Sequence, residues 1–265
     1  MNFRERLEQV IRRKKSLLCV GLDTDIAKLP AALQKSDDPL FEFNKAIIDA
    51  TAEFAAAFKV NLAFYEAHGL DGWRALEKTF AYLPDDVVKI ADAKRGDIGN
   101  TAQMYAKALF DGLGADAVTV NPYMGYDSAA PFLPREDHGA FFLCLTSNPG
   151  AKDFQYFPDG DMPLFQKVAQ TVAAWNGRGN CGLVVGATHP QELAAVRQLA
   201  PDLPLLIPGI GAQGGNLEAS VVAAGGLAFF NSSRAVIYAS SGEDFAPAAA
   251  RAARLTRDQL NSARN

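Results

Sequence analysis

The chain has 265 residues and carries 26 Lys and Arg against 30 Asp and Glu, a formal net charge of −4. With 49% hydrophobic and 21% charged residues it has the balance of a globular protein, which excludes disorder, and its length allows one large α/β barrel or two smaller domains. The charge balance argues against nucleic acid as a partner, since its binders usually carry a basic stripe, but leaves room for one phosphate held by a few local groups.

In chain order, a helix is expected over Phe3–Lys14, followed by eight short apolar runs that read as strands. The runs are Leu17–Leu22, Ala57–Asn61, Val87–Asp92, Ala117–Asn121, Phe141–Thr146, Gly182–Val185, Leu205–Ile207 and Leu227–Asn231. Most are continuous rather than alternating, as strands covered on both faces should be. Amphipathic segments separate them, among them Thr101–Phe110, Leu164–Trp175, Gln191–Leu199 and Leu217–Ala224. Eight such units in roughly 250 residues is the arithmetic of an α/β protein of the (β/α)8 TIM barrel type. An open doubly wound sheet seldom needs eight strands so evenly spaced. No linker rich in Pro, Gly or Ser divides the chain, so residues 1–265 read as a single (β/α)8 barrel domain with a long surface loop over Asn148–Met162. No run approaches the roughly 20 apolar residues of a membrane span, and Met1–Leu7 lacks the apolar stretch of a signal peptide. No membrane partner is expected, and the cytoplasm is the expected compartment. Cys19, Cys144 and Cys181 lie far apart in apolar runs and read as reduced core residues.

Catalytic groups of such barrels come from the C-terminal ends of the strands. The third run leads into Asp92-Ala93-Lys94-Arg95-Gly96-Asp97. Side chains alternate along a strand, so Asp92 and Lys94 are expected on one side, pointing into the barrel mouth. Asp97, just before a helix that Asn100 and Thr101 help to start, could by itself be only a cap. An Asp-x-Lys emerging from a buried strand does not suit that reading. The first run is followed by Asp23, and the second carries Lys59 and Asn61 on one face. Lys59, Asp92, Lys94 and Asp97, with Asp23 close by, form an array of two cations and three anions. Such an array can align through mutual hydrogen bonds and keep Lys94 an ammonium, ready to give a proton.

At the far end of the chain, Pro208-Gly209-Ile210-Gly211-Ala212-Gln213-Gly214-Gly215 follows the seventh run and Asn231-Ser232-Ser233-Arg234 closes the eighth. Loops in these positions bind phosphate in barrels of this kind. Gly209–Gly214 formally matches G-x-G-x-x-G, but it lies late in the chain, and Phe229–Ser233, roughly 20 residues on, offers no Asp or Glu for a ribose. His68, His138 and His189 are scattered, so no metal site is expected; His189, before Pro190, reads as the start of a helix.

Taken together, these segments resemble the orotidine 5′-phosphate decarboxylase family. The likeness rests on Asp92–Thr101 and, in the family's order, on Val20-Gly21-Leu22-Asp23, Phe58-Lys59-Val60-Asn61, Thr146-Ser147-Asn148-Pro149-Gly150, Pro208–Gln213 and Ser233-Arg234. It covers nearly the whole chain, and the extended segment after Ser147 resembles the longer bacterial-type members. The resemblance implies cofactor-independent decarboxylation of orotidine 5′-phosphate to uridine 5′-phosphate in pyrimidine biosynthesis. It implies that Lys94 protonates C6 of the pyrimidine, that Asp92 faces the departing carboxylate and that Lys59 and Asp97 complete the charged array. It also implies a homodimer with shared active sites, in which the partner subunit lends Asp97 with Ile98 and Thr101 beside it. Asp23 is implied as the ribose contact, Ser147 as a hydrogen-bond partner of the ring, Pro208 as part of its apolar wall, and Gln213 and Arg234 as the phosphate clamp. Ser233 stands where a Gly is frequent in the family, which should narrow the backbone's freedom there.

Two other readings fit part of the pattern. A metal-dependent relative on the same barrel, such as a hexulose-phosphate synthase or ketogulonate-phosphate decarboxylase, shares Asp-x-Lys-x-x-Asp but is expected to use a glutamate near the second strand. Glu66 lies well past that run, and Ile98-Gly99-Asn100-Thr101 favours the pyrimidine enzyme. A catalytically silent nucleotide-binding barrel is disfavoured by the intact Lys59, Asp92, Lys94 and Asp97 set.

Overall fold

Strands that are apolar along their whole length must be covered on both faces, and the chain achieves this by closing them into a barrel and wrapping it with helices. The computed structural model describes residues 1–158, 162–186, 190–210 and 217–264. Its strands are β1 (Leu18–Leu22), β2 (Ala57–Asn61), β3 (Val88–Arg95), β4 (Ala117–Val120), β5 (Gly139–Leu145), β6 (Cys181–Val185), β7 (Leu205–Pro208) and β8 (Ala228–Ser232). They follow one another in sequence order around a closed parallel barrel, with β1 paired to both β2 and β8. Each expected run is one of these strands. Their ends agree within two residues except at β3, which continues three residues beyond Asp92.

Parallel neighbours need a crossover, and helices supply it. In chain order they are α1 (Phe3–Lys14), α2 (Pro39–Thr51), α3 (Ala63–Glu66), α4 (Gly69–Tyr82), α5 (Gly99–Lys107) and α6 (Tyr126–Ala129). After β5 come α7 (Leu164–Trp175), α8 (Pro190–Leu199), α9 (Leu217–Ala224), α10 (Arg234–Ile237) and α11 (Phe245–Ser262). The segment expected over Thr101–Phe110 is α5 followed by a wider π turn at Ala108–Gly112. Among the described residues no helix is long and apolar enough to cross a membrane.

Helix α1 seals the end of the barrel where the strands begin. It starts with a capping box: Asn2 Oδ1 accepts the Glu5 N–H at 2.9 Å, and Glu5 Oε2 accepts the Asn2 N–H at 3.0 Å. This sets fully buried Phe3 edge-on against Phe141, with ring centroids 6.0 Å apart. A Cβ on Gly139 would come within 2.1 Å of the Phe3 ring, so the first residue of β5 has room for glycine alone. Arg6 anchors the same helix to Asp116 at 2.8 Å. With this end plugged, the opposite end, where the strands finish, is left for a site.

Phe3→Ala should therefore lower stability by about 3–5 kcal/mol, through lost burial and a cavity far from the site. Urea denaturation should show the loss with kcat unchanged. A matching fall in kcat would mean that the floor and the mouth are coupled.

Candidate active site

The site begins with an irregularity in β3. Ile90 and Ala91 pair with Ala117 and Val118, but the next pair is Arg95 with Val120. Asp92, Ala93 and Lys94 are thus opposed by Thr119 alone, and the surplus is taken up by a left-handed backbone at Lys94, with φ of 47°. For a side chain that conformation costs about 1–2 kcal/mol. The expected meeting of Asp92 and Lys94 is observed, but simple strand alternation is not its cause. The bulge brings both side chains to one place.

Asp92 is the hub. Its Oδ2 accepts from Lys59 Nζ at 2.6 Å, and its Oδ1 accepts from Lys94 Nζ at 2.6 Å and from the Thr119 hydroxyl at 2.9 Å. Lys59 Nζ lies 3.7 Å from Asp23 Oδ1, so the charges alternate Asp23, Lys59, Asp92, Lys94 across β1 to β3. Asp92 and Lys59 are buried, whereas the Lys94 side chain is half exposed to the cavity mouth. Burial pushes the Asp92 carboxyl up, but the Lys59 and Lys94 ammoniums outweigh it and hold the group well below the usual carboxylate range. Burial likewise pulls Lys59 down, and Asp92 and Asp23 override it, so Lys59 stays an ammonium.

These groups line a cavity of about 420 Å³ that also receives Ser147, Pro208, Ser233 and Arg234, with Leu143, Val184, Leu206 and Ile210 as its apolar lining. Gly209, at φ of 98°, turns the chain sharply away from the end of β7. Arg234 is exposed, and its side chain makes no ion pair or hydrogen bond among the described residues. Gly21 has no room for a Cβ, which would lie 2.0 Å from Ser233 Oγ, so its bareness lets Ser233 lean over β1. Ser233 has φ of −103° and ψ of −87°, outside the left-handed region that favours glycine.

The remaining expected residues fall elsewhere. Asp97 is half-buried and accepts the Ile98 N–H at 2.8 Å. Among the described residues it makes no hydrogen bond or ion pair with Lys59, Asp92 or Lys94, and it does not line the cavity. Nor is it a helix cap: α5 starts at Gly99, Ile98 precedes it without a side-chain cap, and Asn100 and Thr101 already lie in the first turn. Ile98 and Thr101 are exposed on the rim. Gln213 and His189 lie outside the described residues. His68 precedes α4, and His138 faces Asp137 at 3.0 Å. The three cysteines are buried, and burial pushes each thiol up to about 12, so none is a nucleophile near neutrality.

Sequence reasoning passed over Thr119, and one signal could have found it: a hydroxyl in the otherwise apolar run Ala117-Val118-Thr119-Val120. It also left Glu66 without a partner. Glu66, at the end of α3, takes the Arg95 guanidinium, which stacks 5.3 Å from the Tyr105 ring centroid.

A closed barrel whose strand ends gather an alternating charge array and an exposed arginine around one cavity defines a (β/α)8-barrel enzyme. The chain belongs to the orotidine 5′-phosphate decarboxylase/HUMPS family, whose profile matches residues 16–248. It is 51% identical over 253 residues to the orotidine 5′-phosphate decarboxylase of Herpetosiphon aurantiacus, with 95% of each chain covered. It is 51% identical over 271 residues to the protein of that name from an Azoarcus species, with 100% of each covered. Its structure matches that of Leishmania donovani OMP decarboxylase with a TM-score of 0.86 at 40% identity, covering 100% of this chain and 99% of that one.

The folded Asp92 group is more acidic than its unfolded counterpart. Its contribution is therefore present above the unfolded pKa of about 3.9 and lost as pH falls through the depressed folded value. Below about pH 4, stability should fall more steeply with acid in the wild type than in Asp92→Asn, by up to about 1.4 kcal/mol per pH unit. Urea denaturation across that range reads the slopes. Equal slopes would show that Asp92 is not held ionised.

Proposed function

We propose that the chain is a carboxy-lyase that converts orotidine 5′-phosphate to uridine 5′-phosphate with no cofactor in the step, in pyrimidine biosynthesis. The observation that carries this is the Lys94 ammonium, held 2.6 Å from Asp92 at the mouth of the cavity that Arg234 borders. Cleavage of the bond between C6 and its carboxylate leaves an electron pair on C6, with no adjacent π system to receive it, and releases CO₂. A fixed cation beside C6 stabilises that pair, and the Lys94 proton then moves to C6. Asp92 faces the departing carboxylate, and Lys59 keeps Asp92 ionised. Asp23 Oδ1 is buried without a hydrogen bond among the described residues, which suits a ribose hydroxyl as donor. Ser147 meets the ring, Pro208 contributes to its apolar wall, and Arg234, with Gln213, holds the phosphate.

The metal-dependent reading needs a carboxylate near the second strand, and Glu66 is engaged by Arg95. Protein treated with a chelator should turn orotidine 5′-phosphate over, read as loss of substrate absorbance and appearance of uridine 5′-phosphate. Lys94→Ala should lower that rate by at least about a thousandfold. Turnover that requires added Mg²⁺ would overturn the reading, as would tight binding of the nucleotide without any turnover.

The working unit in this reading is a homodimer in the cytoplasm, with Asp97 completing the partner's array. In its support, Asp97 has no tie to its own Lys94, and it is followed by exposed Ile98 and Met104. The neighbouring loop after β4 exposes Tyr123 and Met124, and the start of α6 exposes Tyr126. A two-fold dimer would cover such a patch and give each site its missing carboxylate. Lys94→Ala and Asp97→Ala proteins should each be nearly inactive. Mixed equally and allowed to exchange, they should recover about a quarter of wild-type activity, because half the dimers are hybrids with one sound site. No recovery after mass spectrometry has shown exchange would place Asp97 in the site of its own chain.

A further inference from the structure

We propose that Thr119 is a positioning residue that fixes where the Lys94 ammonium points; the proposal rests on the decarboxylase reading for Lys94. Thr119 lies on β4 among apolar neighbours and is 2% exposed. A hydroxyl buried that deeply needs partners, and both of its partners belong to the reacting apparatus. Its oxygen accepts the backbone N–H of Lys94 at 2.9 Å, and its proton goes to Asp92 Oδ1 at 2.9 Å. That oxygen of Asp92 is also the one to which Lys94 Nζ donates. One hydroxyl therefore holds the Lys94 side chain at both ends, at its main chain directly and at its ammonium through the carboxylate.

The backbone explains why such a clamp is needed. Three residues of β3 stand against Thr119 alone, and Lys94 is held at φ of 47°. A left-handed lysine persists only where its surroundings over-determine it. Without the hydroxyl the Lys94 N–H has no acceptor, and the bulge can relax toward ordinary extended backbone. The ammonium would then move relative to C6, and proton transfer is sensitive to displacements of about 1 Å, which can cost a hundredfold in rate. Binding would be affected little, because the groups proposed for phosphate and ribose, Arg234 and Asp23, do not touch Thr119.

Thr119→Val keeps the branched shape and removes the hydroxyl. Its kcat should fall by about 10–100-fold while KM stays within about threefold of wild type, and Thr119→Ser should recover most of the rate. If the valine variant does not fold, Thr119→Ala carries the same expectation. A kcat loss below about threefold, a parallel change in KM, or no advantage of serine over valine would overturn the proposal. Crystallography gives a readout independent of turnover, and so separates failure of this proposal from failure of the decarboxylase reading. In the valine variant Lys94 should leave the left-handed region, or its ammonium should withdraw from Asp92 by about 1 Å or more. An unmoved Lys94 would count against the clamp.

Discussion

A carboxylate stays charged inside a barrel only if cations face it, and the site is organised around meeting that condition at Asp92. The group is 8% exposed and accepts from two ammoniums and one hydroxyl. Breaking the buried pair of Lys59 and Asp92 by removing one partner leaves a poorly compensated ion in a poorly solvated place, at a cost of about 3–5 kcal/mol. Replacing such a buried set with well-packed apolar residues is, by contrast, often neutral or even stabilising. Stability therefore does not account for the array. What the array supplies is a lysine whose charge and direction are fixed before a substrate arrives, as electrostatic preorganisation requires.

Direction depends on how the chain on either side of Lys94 is tied down. On the near side, Thr119 takes the Lys94 N–H. On the far side, the Arg95 carbonyl accepts the Asn121 N–H at 2.8 Å, and the Arg95 side chain reaches Glu66 and the Ala93 carbonyl. The strained residue is thus bracketed by bonds to β4, to the loop after it and to α3. Its strain of about 1–2 kcal/mol is small beside this network and is confined to the residue that carries the charge.

The fold was legible in the sequence because buried parallel strands leave a plain mark. Runs such as Ala57–Asn61 and helices such as Phe3–Lys14 and Leu164–Trp175 coincide with their structural bounds. The charged residues were legible for a related reason: Lys59 and Asp92 are ions where only apolar residues would otherwise be tolerated. The bulge was not legible, because period-two alternation predicts the same side for Asp92 and Lys94 whether or not the strand slips. Thr119 escaped because threonine is an ordinary strand former, and only the register shows that it stands opposite three residues. The fit of the Ser233 side chain was not legible either, because the space for it is cleared across the sheet at Gly21.

Closure of the barrel also explains how residues from opposite ends of the chain share one cavity. Because β8 pairs with β1, with Ser232 beside Val20, the arginine that follows the last strand comes to lie next to the carboxylate that follows the first. Going round from β8 through β1 to β3, the lining is Arg234, Asp23, Lys59, Asp92 and Lys94, an unbroken polar arc. From β5 through β7 the strands contribute Leu143, Val184 and Leu206, an apolar arc, with Thr146, Ser147 and Asn148 at its edge after β5. A substrate with a phosphate, a hydroxylated sugar and a flat ring meets these in a fixed order in the proposed reading. The phosphate goes to the arginine, the sugar to Asp23, and the ring lies against the apolar arc with its reacting edge toward Lys94. An open sheet would leave β1 and β8 at opposite edges and break the arc between Arg234 and Asp23. Closure is therefore the feature that, in that reading, lets one substrate reach Arg234 and Lys94 together.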